Sequence, residues 1–331
     1  MNATSRGTVL LTGATGFVGR HVHGPLVEAG WDVRCSTRDV AAARARWPDR
    51  EWVRLEQQDV DSVERALEGC DAALYLMHGM ASHSDDFRQA EIQQAESFSV
   101  AAARAGLRRI IYLGGVAADV DPSDHLKSRE EVGAALRAGG VPTFELRASM
   151  IVGDGSLSWL IVRDLAARLP VMIVPRWLRS RTEPVSIHDI CIALVGSLEL
   201  EGAGSEWFDV PGPEALSMRE ILARTAAALG VRVPLMVQVP FLSPKLSSHW
   251  VRLVTRAEWS VAREVVVGLK TDLLAQDDRF WALIGHPERQ TFDEAARIAV
   301  EEDRMRPPLK GVGGRIERTL GWVATATGGR S

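Results

Sequence analysis

The stretch of this sequence best equipped for chemistry is Thr12-Gly13-Ala14-Thr15-Gly16-Phe17-Val18-Gly19. It follows a short apolar run, Thr8 to Leu11, that reads as a buried parallel strand, and it opens into Phe17 to Ala29, which reads as a helix. Three glycines at i, i+3 and i+6 in a strand-to-helix turn each have a task. Gly13 allows the tight turn, Gly16 lets backbone N–H groups approach a diphosphate with no Cβ in the way, and Gly19 lets the helix pack closely on the strand. Thr15, Phe17 and Val18 complete the turn, and the helix N-terminus presents the positive end of its dipole to the phosphates. A plain glycine-rich turn would show the same triplet. Its place after an apolar strand and before a helix favours a dinucleotide site.

The elements that must position this turn alternate along the chain. Strands are expected at Trp31 to Cys35, Glu51 to Glu56, Asp71 to Met77, Arg108 to Leu113 and Val141 to Arg147, with helices between them, including a long one from Asp85 to Ala105. Such alternation predicts an α/β fold with a doubly wound parallel sheet, whose ligands lie at the C-terminal strand ends. Those ends carry Arg38 and Asp39 after the second strand, Asp59 and Val60 after the third, and Met77 and His78 after the fourth. An acidic residue after the second strand suits two free ribose hydroxyls, and an arginine suits a 2′-phosphate. Asp39 reads as the cap of an alanine-rich helix, leaving Arg38 for the phosphate or for solvent. Asp59 or Asp61 caps the helix from Ser62 to Leu67. His78 is a loop residue near the ribose or a catalytic acid.

The octet TGATGFVG resembles the cofactor turn of the short-chain dehydrogenase/reductase superfamily, and most closely its atypical branches, the group that includes NmrA-like regulators and the complex I subunit of this fold. The resemblance covers roughly residues 8 to 300. It implies a Rossmann-type sheet with a small C-terminal substrate lobe and a nicotinamide cofactor, with an arginine at the place of Arg38 pointing to NADP over NAD and with Asp59 and Val60 beside the adenine. Family members that reduce carbonyls carry a Ser at the end of the fifth strand and Tyr-x-x-x-Lys on the next helix. This chain departs at all three places. Its strand ends Leu113-Gly114-Gly115, His125 stands where the Tyr would be, and Arg129 stands where the Lys would be. Arg129 can still donate hydrogen bonds to the nicotinamide ribose, but its guanidinium does not titrate. His125 is either a general acid or a helix residue in solvent.

Composition narrows the rest. The chain has 331 residues, 46% of them hydrophobic, enough for a sizeable core, and a net charge of -4 that gives no support for nucleic-acid binding. Its three cysteines, Cys35, Cys70 and Cys191, are far apart and in no metal-ligand spacing. Met1 to Gly7 holds no apolar signal-type run, and no segment approaches the ~20 apolar residues of a membrane span, so the expected location is cytoplasmic. The expected divisions are residues 1–150 for the dinucleotide core, 151–306 for the substrate lobe, with segments from 151–215 available to complete the sheet, and 307–331 for a mobile tail. Ser217 and Glu220 read as a capping box, and Asp189 reads as the cap of a helix running to Leu200. Val237 to Val267 is lobe core, an apolar substrate tunnel or a peripheral membrane contact. Two functions follow: an NADP(H)-dependent oxidoreductase acting on an apolar carbonyl, quinone or enone, or a dinucleotide-binding sensor or assembly factor. A homo-oligomer or a protein partner is compatible with either.

Overall fold

A computed structural model describes residues 5–77, 85–117, 124–168, 171–174, 179–202, 204–238 and 271–305. The first half alternates without exception: β1 (Thr8–Leu11), α1 (Phe17–Glu28), β2 (Asp32–Thr37), α2 (Val40–Arg46), β3 (Glu51–Arg54), α3 (Val60–Leu67), β4 (Ala72–Tyr75), α4 (Asp85–Ala105), β5 (Arg109–Gly115), α5 (Asp124–Ala138) and β6 (Thr143–Ala148). The second half continues with β7 (Ile151–Val152), α6 (Leu157–Arg168), β8 (Val171–Val174), β9 (Arg181–Thr182), β10 (Val185–Ser186), α7 (Ile187–Glu199), β11 (Glu206–Asp209), β12 (Leu216–Ser217), α8 (Met218–Leu229), β13 (Leu235–Gln238), α9 (Arg279–Leu283) and α10 (Phe292–Met305).

Seven strands form one parallel sheet in the order β11-β6-β5-β4-β1-β2-β3. The order reverses between β1 and β4, which makes a crevice at their C-terminal ends. Thr12 holds this point together: its hydroxyl donates to Leu74 O (2.9 Å) and accepts from Leu76 N (2.8 Å). Both sheet faces are covered, so the central strands are apolar throughout and alternate between two cores. Val9, Leu11, Leu74, Ile111 and Leu113 face α1 and α7. Leu10, Ala73, Tyr75, Ile110 and Tyr112 face α3, α4 and α5. Cys35, Cys70 and Cys191 are free and buried, and burial pushes the Cys35 thiol up to about 11 and the Cys191 thiol up to about 12.

A third core lies beyond the sheet. Trp159 of α6, Ile221 and Leu222 of α8, and Phe292 and Ala296 of α10 pack around short strand pairs, with Trp159 and Phe292 edge to face at 6.4 Å. Arg163 of α6 locks α10 through Asp303 (2.6 Å) and its own neighbour Asp164 (3.0 Å). Between the two units residues 271–291 run as a strap over the sheet side, fastened by side-chain carboxylates. Arg181 N donates to Asp272, Ala275 N to Glu183, Gln276 N to Asp209 and Gln290 N to Asp189, all at 2.6–3.0 Å. Phe280 and Trp281 of the strap are buried in the core under α7.

The start of α7 differs from expectation. Its cap is Ser186, whose hydroxyl accepts from Asp189 N at 2.9 Å. Asp189 lies inside the first turn and is buried, accepting from Ser186 Oγ (2.7 Å), His286 Nε2 (2.9 Å) and Gln290 N (3.0 Å). A partner about a hundred residues away, invisible to local spacing, determines its role. His188, the adjacent histidine, is exposed.

Candidate cofactor and active site

The glycine turn occupies the crevice between β1 and β4. Gly13 has φ +61, a conformation that side chains rarely adopt, and a Cβ there would sit 2.6 Å from Leu76 O. Gly19 is buried, and a Cβ on it would run into Gly13 O and stand 2.7 Å from Ala14 Cα. The start of α1 is therefore pressed onto the turn to a distance only glycine permits. Gly16 is the helix N-cap, offers no side-chain cap, and is exposed together with Thr15. The first turn of a helix leaves its N–H groups without intrahelical partners, and here no acidic residue stands in that turn. Phe17 and Val18, half-buried, carry two of those groups. This cradle, open at the mouth and closed to any Cβ behind, fits a diphosphate.

Around it, the other expected residues line the same edge of the sheet. Arg38 is exposed directly after β2 and forms no ion pair among the described residues. Asp39 caps α2 by accepting from Ala42 N (2.9 Å), so of the two residues after β2 it is the aspartate that the helix engages. Asp59 caps α3 through Ser62 N (3.2 Å), and Val60 beside it is 47% exposed, an apolar surface suited to an adenine ring. Met77, half-buried, follows β4. His78 and the side chain of His125 lie outside the described residues, as do residues 239–270 of the apolar segment and the 307–331 tail.

At the far side of the crevice, β5 ends in Gly114-Gly115 with no hydroxyl to offer. The stem of Arg129 packs there: a Cβ on Gly115 would stand 3.4 Å from Arg129 Cδ. Below it lies a polar recess between the sheet and α4/α5, lined by Gln57, Tyr75, Met77, Glu91, Tyr112 and Arg129. Tyr112 OH donates to Arg129 O (3.1 Å), Gln57 Nε2 donates to Tyr75 OH (3.3 Å), and Ser128 Oγ donates to Glu91. Burial lowers the Arg129 guanidinium from its ordinary value, opposed by Tyr112 and Glu91, yet an arginine stays charged. Burial drives the Tyr75 and Tyr112 phenols well above the ordinary range, so both stay protonated at neutral pH. The recess presents the Arg129 cation beside the strand end, with the Glu91 carboxylate in its lining.

Sequence reasoning missed two residues near the site. Glu145, in the middle of the otherwise apolar β6, is fully buried beneath α5, and its charge within a strand was the available signal. Arg20, one residue past the third glycine, folds back on the turn through Nε to Gly16 O (3.2 Å). Among the described residues no cluster could hold a metal ion, and no helix is long and apolar enough to cross a membrane.

Known proteins share this fold. An NAD(P)H-binding family model matches residues 13–166, the segment from the glycine turn to α6. The (4-alkanoyl-5-oxo-2,5-dihydrofuran-3-yl)methyl phosphate reductase of Streptomyces griseus subsp. griseus is 32% identical over 67% of this chain and 74% of its own length. The ceramide reductase of Caulobacter vibrioides is 26% identical over 72% of this chain and 76% of its own. Among solved structures, the Citrobacter sp. triphenylmethane reductase complexed with NADP(H) superposes with a TM-score of 0.70 at 18% identity, over 88% of this chain and 99% of that one. With its glycine cradle at the switch point of a seven-stranded Rossmann sheet, the chain belongs to the NAD(P)H-binding, atypical short-chain dehydrogenase/reductase family.

Proposed function

We propose that the protein is an NADP(H)-dependent oxidoreductase that moves hydride between the cofactor and an apolar carbonyl, quinone or enone. The observation that carries this reading is the cradle of Gly13, Gly16 and Gly19, in which Gly13 and Gly19 leave no room for a Cβ, in a chain whose relatives are named as reductases. When bound, the nicotinamide supplies the hydride, and the protein's share is binding, orientation and electrostatics. Phe17, Val18 and Gly19 offer backbone N–H groups to the diphosphate. Arg38 pairs with the 2′-phosphate, which makes NADP the preferred form and NAD the weaker one. Asp59 and Val60 take the adenine side, and Met77, His78 and Arg129 surround the nicotinamide ribose. His125 supplies the proton to the substrate oxygen. The 151–306 part forms the lobe over the substrate, and the alkanoyl group in the first relative's substrate name supports an apolar ligand beneath it.

A second reading, a dinucleotide sensor or assembly factor, draws on one feature: β5 ends in two glycines where a substrate-holding hydroxyl would be expected. The test is NADPH oxidation followed by absorbance across a panel of long-chain ketones, enones and quinones, with NADH in parallel. Turnover with at least one apolar member and a preference for NADPH is expected. Tight cofactor binding with no turnover across the panel would leave the sensor reading standing in its place.

A further inference from the structure

The cradle described above offers the diphosphate only amides and the end of a helix dipole. That end is worth roughly half an elementary charge, while a dinucleotide bridge is doubly negative. Arg20 stands at the same mouth. It lies one turn into α1, and helical side chains lean toward the N-terminus. Here the lean is held by one side-chain bond: Arg20 Nε donates at 3.2 Å to Gly16 O, the oxygen that also accepts the helical bond from Arg20 N at 3.1 Å. A guanidinium anchored by its Nε on the N-cap carbonyl lies at the rim made by Thr15 and Gly16, both exposed. A planar fork of N–H donors is suited to two phosphate oxygens at once.

We propose that Arg20 is a ligand of the cofactor diphosphate, supplying the full positive charge that the glycine cradle lacks. The proposal rests on the reading of that cradle as the cofactor site, and it separates the two arginines by what they recognise. Arg38, at the end of β2, meets the adenosine side and tells NADP from NAD. Arg20 meets the bridge that both cofactors share, and contributes equally to each.

Isothermal titration calorimetry of NADPH and NADH against the wild-type protein, Arg20→Ala, Arg20→Lys and Arg38→Ala tests it. Arg20→Ala should weaken both nucleotides about ten-fold and leave their ratio unchanged, with Arg20→Lys between it and the wild type. Arg38→Ala should weaken NADPH alone. Unchanged dissociation constants for both nucleotides in Arg20→Ala would overturn the proposal and leave Arg20 as a cap of Gly16 O. A loss confined to NADPH would also overturn it, since the arginine would then read the 2′-phosphate. A wild-type protein that binds neither nucleotide sinks the cofactor site itself, a failure distinct from either. Thermal melts of each variant without nucleotide confirm folding, and should Arg20→Ala not fold, Arg20→Gln, which keeps the stem and removes the charge, is read in its place.

Discussion

Replacing Gly133 with alanine sets two known effects against each other, and the structure decides between them. Gly133 lies inside α5, and in an unconstrained helix the change to alanine stabilises by about 0.8–1 kcal/mol. Here a Cβ would fall 2.5–2.6 Å from all three carboxyl atoms of Glu145 on β6. An ordinary contact needs roughly 3.5 Å, so the carboxylate or the helix must retreat by about an ångström. Retreat is blocked. Glu145 is fully buried, Arg147 Nε holds one oxygen at 3.0 Å, Arg137 pairs with the other, and a Cβ on Gly114 would already stand 2.9 Å from Oε1. Arg147 is itself pinned, with its guanidinium 4.3 Å from the Trp207 ring centre. Overpacking costs about 1–3 kcal/mol, and breaking a buried ion pair about 3–5. Against the propensity gain, a net loss of about 2–4 kcal/mol is expected, a fall in Tm of roughly 3–6 °C for a chain of this size. Urea unfolding followed by far-UV circular dichroism reads the loss as a lower midpoint at unchanged slope. A Gly133→Ala variant as stable as the wild type, or more so, would refute the reasoning. The companion is Glu145→Asp, whose carboxylate stops one methylene short. In that background the alanine should cost less than about 1 kcal/mol, a coupling that two independent sites would not show.

Three further outcomes are expected. Gly19→Ala should weaken NADPH at least ~10-fold in calorimetry, because its Cβ meets backbone of Gly13 and Ala14 and displaces the helix start. Asp189→Ala removes the acceptor shared by Ser186, His286 and Gln290, so it should cost about 2–4 kcal/mol and expose the 271–291 strap to limited proteolysis; equal cleavage rates would contradict that. His23 is lowered to about 4 by burial and then by the charge of Arg50, so the folded state favours the neutral ring. Its contribution is complete above the unfolded value near 6.5 and is lost as pH falls from there through 4; for a half-exposed ring screened by solvent this amounts to about 1–2 kcal/mol, and His23→Asn should flatten the stability profile across that window.

Features governed by local chemistry are legible in the sequence. The long helix from Asp85 to Ala105 falls where expected at both ends, and the capping box of Ser217 with Glu220 is present on both sides. Asp39 and Asp59 cap α2 and α3 as their spacing suggests. The strand order follows from alternation and crossover rules rather than from any one residue. The failures are equally physical. Asp189 looks like a cap because capping is a matter of a few residues, while its true partners, His286 and Gln290, lie a strap away. The strap could not be foreseen because its fastenings are backbone N–H groups, identical in every residue, meeting carboxylates far away in the sequence. Arg20 looks like a surface charge because nothing in its spacing says that its side chain folds back on Gly16.

The burial of Glu145 bears on how such a site works with His125 and Arg129 at the places of the family's tyrosine and lysine. A buried ion pair is seldom retained for stability, since apolar residues of similar volume do as well. What Glu145 provides is placement. It meets Gly133 and Arg137 of α5, Gly114 of β5 and Arg147 of β6, so helix and strands share one carboxylate. Gly133 is one helical turn past Arg129, whose stem rests on Gly115, the residue after Gly114. Any slide of α5 along the sheet that moved Arg129 from the strand end would have to pull Arg137 away from the Glu145 carboxylate. Where hydride transfer depends on holding two partners in register, a cation held in place at the strand end serves that positioning. Glu145→Gln keeps the shape and loses the charge, while Glu130→Gln removes a charge from an exposed position of α5. The first should therefore raise the KM for NADPH more than the second does, and an equal effect from both would assign Glu145 to stability alone.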